Sequence, residues 1–70
     1  MKISARNQLR GVVKSVAPGA VNTEIVIGLP GGIEIASVIT KSSAETMGVA
    51  PGKEVYAVVK ASNVMVAVDH

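Results

Sequence analysis

The stretch Ser42-Ser43-Ala44-Glu45-Thr46-Met47-Gly48 decides the architecture. It is the one helical signal in a chain otherwise written in strands. Ser42 and Glu45 stand three apart, as the two partners of a capping box do. Gly48 then supplies a left-handed C-terminal cap. Residues 42–47 are too few to hold a helix in isolation, so this one must lie against a sheet. Thr40-Lys41-Ser42-Ser43 also brings hydroxyls to the helix start, where anions are favoured. Capping alone accounts for Ser42 there.

Working outward, Pro18-Gly19, Leu29-Pro30-Gly31-Gly32 and Pro51-Gly52 punctuate runs rich in β-branched residues. The first predicted strand covers residues 9–17. It sets Leu9, Gly11, Val13, Ser15 and Ala17 on one face and Arg10, Val12, Lys14 and Val16 on the other, with Gly11 marking a bend or bulge. The second covers residues 20–29, where Val21, Thr23, Ile25, Ile27 and Leu29 share a face with a two-residue period. Pro30-Gly31 fits a type II turn. The third strand follows over residues 33–40, with Ile33, Ile35, Ser37 and Ile39 together.

Beyond the helix, residues 54–60 read as a fourth strand and residues 64–68 as a fifth. In the fifth, Val64, Val66 and Val68 oppose Met65 and Ala67, so both faces are apolar. Such a strand is covered on both sides, and in so short a chain the second cover points to another subunit.

One short helix between strands three and four of five predicts an all-β fold, the five-stranded OB-like Greek-key barrel. A barrel also removes the sheet edges that Val/Ile-rich strands would otherwise expose. Residues 1–70 read as a single domain. Seventy residues, of which 49% are hydrophobic, hold more apolar surface than one small core uses. Assembly of several copies is the simplest cover. There is no cysteine and one histidine, His70, read as a chain end rather than a ligand. Neither a disulfide nor a thiolate or His-rich metal site is therefore expected.

Two polar islands interrupt this apolar chain. Ser4-Ala5-Arg6-Asn7-Gln8 precedes the first strand, and Lys60-Ala61-Ser62-Asn63 separates the last two. Each combines a cation, a hydroxyl and backbone N–H groups. Consecutive N–H groups in a turn form an anion-binding nest, and a charged partner strengthens each bond. Taken singly, either island is more simply a solvated arm or an ordinary strand connection. Taken together they offer donors from several directions, as a tetrahedral dianion requires. Gly19, Ala20, Val21 and Asn22, at the first hairpin turn, are a weaker anion candidate.

Other chemistries lack their parts. The carboxylates Glu24, Glu34, Glu45, Glu54 and Asp69 are scattered, and Asp69-His70 at the chain end gives no ordered relay with Ser62. No phosphate-binding or dinucleotide glycine pattern occurs. A non-enzymatic role follows. OB-folds that bind single strands stack bases on aromatics over a basic groove. This chain has no Phe, no Trp and one Tyr, with a net charge of only +2, so nucleic acid is not the expected partner. No secretory signal pattern opens the chain and no run approaches the ~18 apolar residues of a membrane span. A cytoplasmic location and no membrane partner are expected.

The opening Met-Lys-Ile-Ser-Ala-Arg-Asn-Gln-Leu-Arg-Gly, with Gly-Ala-Val-Asn-Thr-Glu-Ile and Val-Lys-Ala-Ser-Asn-Val-Met, resembles the molbindins, or Mop proteins, over essentially the whole chain. The resemblance implies an OB-like barrel assembled as a homo-hexamer, a trimer of dimers. It implies molybdate or tungstate held at subunit interfaces by hydrogen bonds, the metal being already wrapped in its own oxygens. Ser4, Ala5 and Arg6 match one half of the family's binding motif, and Lys60, Ala61 and Ser62 the other. A second class of site is expected near Gly19, Ala20, Val21 and Asn22. The implied role is storage or buffering of the oxyanion. The alternatives are a module for another tetrahedral anion such as sulfate, and a nucleic-acid-binding OB module.

Overall fold

The alternating stretches form four strands, one helix and one 3-10 turn: β1 (Asn7–Pro18), β2 (Asn22–Gly28), β3 (Glu34–Thr40), α1 (Lys41–Met47), β4 (Glu54–Val59) and the turn Ala61–Asn63. The computed structural model describes residues 2–69; Met1 and His70 lie outside the described residues. The sheet order is β3-β2-β1-β4, and every pairing is antiparallel.

β1 is the spine. Its first half pairs with β4 from Asn7↔Val59 to Val12↔Glu54. Its second half pairs with β2 from Val12↔Gly28 to Pro18↔Thr23. Val13, Ile25, Ile27 and Ala57 form the buried core, with Val16, Leu29, Ile35 and Val55 packed around it. Ile39 of β3 and Val58 of β4 belong to opposite ends of the strand order, yet they line one largely apolar cavity of about 430 Å³ with Val13 and Ile27. The sheet is therefore curled on itself.

The face assignment of β1 needs correction. Gly11 and Val13 are buried as expected, but beyond them Ser15 and Ala17 are exposed and Val16 is half-buried. The register skips Lys14, because Val13 pairs with Ile27 and Ser15 with Val26. This β-bulge turns Val16 inward and bends the strand. Gly11 is not the bulge; it pairs regularly with Val55. A Cβ there would meet the Gly28 carbonyl oxygen at 2.6 Å and Ile27 Cγ2 at 2.8 Å. Glycine is required by the close approach of β2.

The inward faces of β2 and β3 follow the alternation. Thr23, Ile25 and Ile27 are buried, and Ile35, Ser37 and Ile39 half-buried. Val21 instead falls in the β1–β2 turn and is 72% exposed. Gly31, at φ 87°, takes the left-handed position the turn after Pro30 demands.

The helix starts earlier than expected and the predicted capping box does not form. Thr40 is the N-cap: its Oγ1 accepts the Ser43 N–H at 3.1 Å. At the other end Gly48 is left-handed, at φ 64° and ψ 39°, and its N–H reaches the carbonyls of Ala44 and Glu45. Lys53 Nζ donates to the carbonyl oxygens of Met47 and Gly48, placing a cation on the negative end of the helix.

The expected fifth strand does not form: among the described residues there are four strands, not five. Residues 64–69 carry no regular structure. Met65 is 93% exposed and Val66 is 90% exposed. A strand exists by its ladder, and within one chain no edge pairs with this segment. The outer edges of β3 and β4 remain unpaired, flanking an apolar cleft of about 280 Å³ that includes Ile35, Ala36, Val58 and Val59.

Candidate functional site

β1 opens at Asn7 and β4 closes at Val59, and these two residues are register partners. Antiparallel pairing therefore brings residues 4–6, which lead into β1, and residues 60–62, which leave β4, to the same end of one ladder. Both polar islands flank the Asn7↔Val59 end of the ladder. Ala5 is the anchor of the first: it is 5% exposed, while Ser4 and Arg6 on either side are exposed. A buried methyl thus holds the arm down and leaves its hydroxyl and guanidinium outside.

The second island is a single helical turn. Lys60 is the N-cap of the 3-10 helix Ala61–Asn63, in extended geometry and without a side-chain cap. The Asn63 N–H donates to the Lys60 carbonyl at 2.9 Å. The first N–H groups of such a turn have no partner inside it. Among the described residues, the N–H groups of Ala5, Arg6, Ala61 and Ser62 donate to no backbone carbonyl.

The charges follow the same pattern. Arg10 Nη2 sits 2.9 Å from Glu54 Oε2. The hydrogen bond that Arg10 donates to Glu54, aided by the carboxylate's charge, raises the Arg10 pKa above the ordinary value. That cation is already committed. Arg6 and Lys60 form no ion pair among the described residues. The first 23 residues hold four bases, Lys2, Arg6, Arg10 and Lys14, and no acid. At the ladder end Arg6 and Lys60 supply positive charge beside exposed hydroxyls and unspent N–H donors, which suits a small anion. Among the described residues, no three His, Cys, Asp or Glu side chains cluster to hold a metal cation.

Two residues of the first island have functions that sequence reading did not assign. Asn7 Nδ2 donates to the Val59 carbonyl at 3.1 Å. Gln8 Nε2 donates to the Ala5 carbonyl at 3.1 Å. The available signal was the placement of two amides at the very start of a strand, where Asn is disfavoured unless its side chain has work to do.

Gly19, Ala20, Val21 and Asn22 lie at the far end of β1, in the β1–β2 turn. The Gly19 N–H is spent on the Asn22 carbonyl at 2.7 Å, and the Val21 carbonyl accepts the Lys41 N–H at 2.8 Å. Asn22 is paired with Thr40 in the β2–β3 register. The N–H groups of Ala20 and Val21 donate to no backbone carbonyl among the described residues.

Comparison with known proteins bears on this geometry. Residues 3–66 match the TOBE domain family. A probable molybdenum-pterin-binding protein of Haemophilus influenzae is 44% identical over 69 residues, covering 99% of this chain and 100% of that protein. MopII from Clostridium pasteurianum superposes with a TM-score of 0.90 at 45% identity, covering 96% of this chain and 100% of that one. The cytoplasmic molybdate-binding protein ModG, in a form with molybdate bound, superposes with a TM-score of 0.89 at 48% identity, over 93% of this chain and 46% of that one. The chain also aligns with longer relatives, of whose length it spans about a quarter. With nearly its whole length matched in sequence and in fold, the chain belongs to the TOBE domain family and, within it, to the molybdenum-pterin-binding (Mop) proteins, the molbindins.

Proposed function

We propose that residues 1–70 act as a single non-enzymatic domain that binds molybdate, and tungstate with it, as a store or buffer of the oxyanion. The observation that carries this reading is the Asn7↔Val59 register, which sets two donor-rich islands at one ladder end. A relative of the same fold, ModG, holds molybdate. The ligand's oxygens accept from the hydroxyls of Ser4 and Ser62 and from the N–H groups of Ala5, Arg6, Ala61 and Ser62. Arg6 and Lys60 balance the dianion. Each bond to a charged acceptor contributes about 1–3 kcal/mol. No protein atom ligates the metal. A second anion position at residues 19–22 rests on the N–H groups of Ala20 and Val21 and on the Asn22 side chain.

The working form is a homo-oligomer, a hexamer built as a trimer of dimers, located in the cytoplasm. Support comes from residues 64–68, apolar and exposed in one chain, and from the unpaired edges of β3 and β4. When that segment meets a second copy, its backbone gains a ladder and the barrel its fifth strand. Among the described residues no helix is long and apolar enough to cross a membrane.

Titration calorimetry with molybdate, tungstate, sulfate and phosphate tests the ligand. Tight binding of molybdate and tungstate, with sulfate and phosphate far weaker, is expected because the smaller anions underfill a cavity of fixed size. Equal affinity for all four would sink the molybdate assignment and leave a general tetrahedral-anion module.

A further inference from the structure

We propose that Gln8 and Asn7 are positioning residues of the anion site, each holding a peptide plane rather than touching the ligand. This inference rests on the oxyanion reading above. A trans peptide unit is flat, so its C=O and the following N–H point in opposite directions. Gln8 Nε2 holds the Ala5 carbonyl at 3.1 Å. The other end of that same peptide is the Arg6 N–H, one of the donors left without a backbone acceptor among the described residues. Fixing the carbonyl fixes where this N–H points. It also polarises the unit, because a peptide whose oxygen accepts a bond becomes a better donor at nitrogen.

Asn7 acts on the other island. Its Nδ2 takes the carbonyl of Val59 at 3.1 Å, across the ladder. The peptide so held joins Val59 to Lys60, the N-cap from which the 3-10 turn starts. The two amides therefore lock the root of each island from adjacent positions on β1. Both bonds are partly shielded from solvent, so water replaces them poorly. The arm is also held by the buried Ala5 methyl. The bond from Gln8 is thus needed for the direction of the Arg6 N–H and not for keeping the arm in place. Neither amide carries charge, so their effect on an anion is geometric and dipolar.

The test compares the wild-type chain with Gln8→Met, which keeps the length and removes the donor, and with Gln8→Asn, which stays polar but is one methylene too short. Sodium molybdate is titrated by calorimetry, the Arg6 amide is followed by proton–nitrogen NMR, and thermal unfolding and native mass are recorded without ligand. Both variants are expected to lose about tenfold in molybdate affinity, with ligand-free unfolding temperature and native mass unchanged. The shift of the Arg6 amide on adding molybdate shrinks in parallel. Wild-type affinity and a full Arg6 shift in either folded variant would overturn the positioning role while leaving the oxyanion reading intact. A loss of affinity matched by an equal loss of ligand-free stability would reduce Gln8 to a structural bond and overturn it too. Failure of the wild-type chain to bind molybdate would overturn both readings together.

Discussion

Ser62 bears the sharpest expectation among the single residues. Its hydroxyl is exposed at the start of a turn whose first N–H groups have no backbone acceptor among the described residues. Ser62→Ala removes one bond to a charged oxygen and leaves the N–H in place. Molybdate affinity should fall by about 1–3 kcal/mol, read by calorimetry, with ligand-free stability within about 0.5 kcal/mol of the original. An unchanged affinity would show that Ser62 does not touch the anion. The residue types of the proposed site stand out in the sequence, because hydroxyl, cation and flanking alanine recur in both islands. The supporting amides were not. A side chain that bonds a carbonyl across a ladder leaves no mark on composition or periodicity, and only the register exposes it.

At the scale of the element, α1 shows how a local signal misplaces a boundary. Ser42 and Glu45 carry capping-box spacing, but Thr40 ends β3 in extended geometry and caps the helix itself. The strand and the helix share a junction with no loop between them. The last extended residue is then the natural cap. Thr40→Ala should cost about 1 kcal/mol in urea unfolding, whereas Ser42→Ala should stay within about 0.5 kcal/mol. The reverse order would restore Ser42 as the cap. β1 carries a parallel lesson. Val13 and Val16 are three apart, which strict alternation cannot turn to one face. The bulge at Lys14 resolves the conflict by skipping a residue, as the burial of the core requires. The outlines of β2, β3 and β4 were legible because their alternation has no such interruption.

For the whole molecule, the turns joining β1 to β2 and β2 to β3, and the helix between β3 and β4, were legible in the turn signals; the β1–β4 pairing and the missing fifth strand were not. Its sequence is strand-like on both faces, but strand formation depends on a partner edge that a single chain does not offer. That same segment gives the assembly its test. Val66 is 90% exposed, so Val66→Asp in an isolated chain would change stability by no more than about 0.5 kcal/mol. In the proposed oligomer the same change places a charge in a buried, apolar seam. Native mass spectrometry should therefore find the variant dissociated where the original is assembled; an intact assembly would remove residues 64–68 from the interface.

Molybdate is proposed to sit between the two islands, at the Asn7↔Val59 end of the β1–β4 ladder. Crystals grown with molybdate, with diffraction recorded at the molybdenum absorption edge, test it most directly. An anomalous peak with its oxygens within hydrogen-bonding reach of the Ser4 and Ser62 hydroxyls and the Arg6 and Ala61 N–H groups is the predicted result. A saturated crystal with its only peak at residues 19–22, or with none at all, would contradict it.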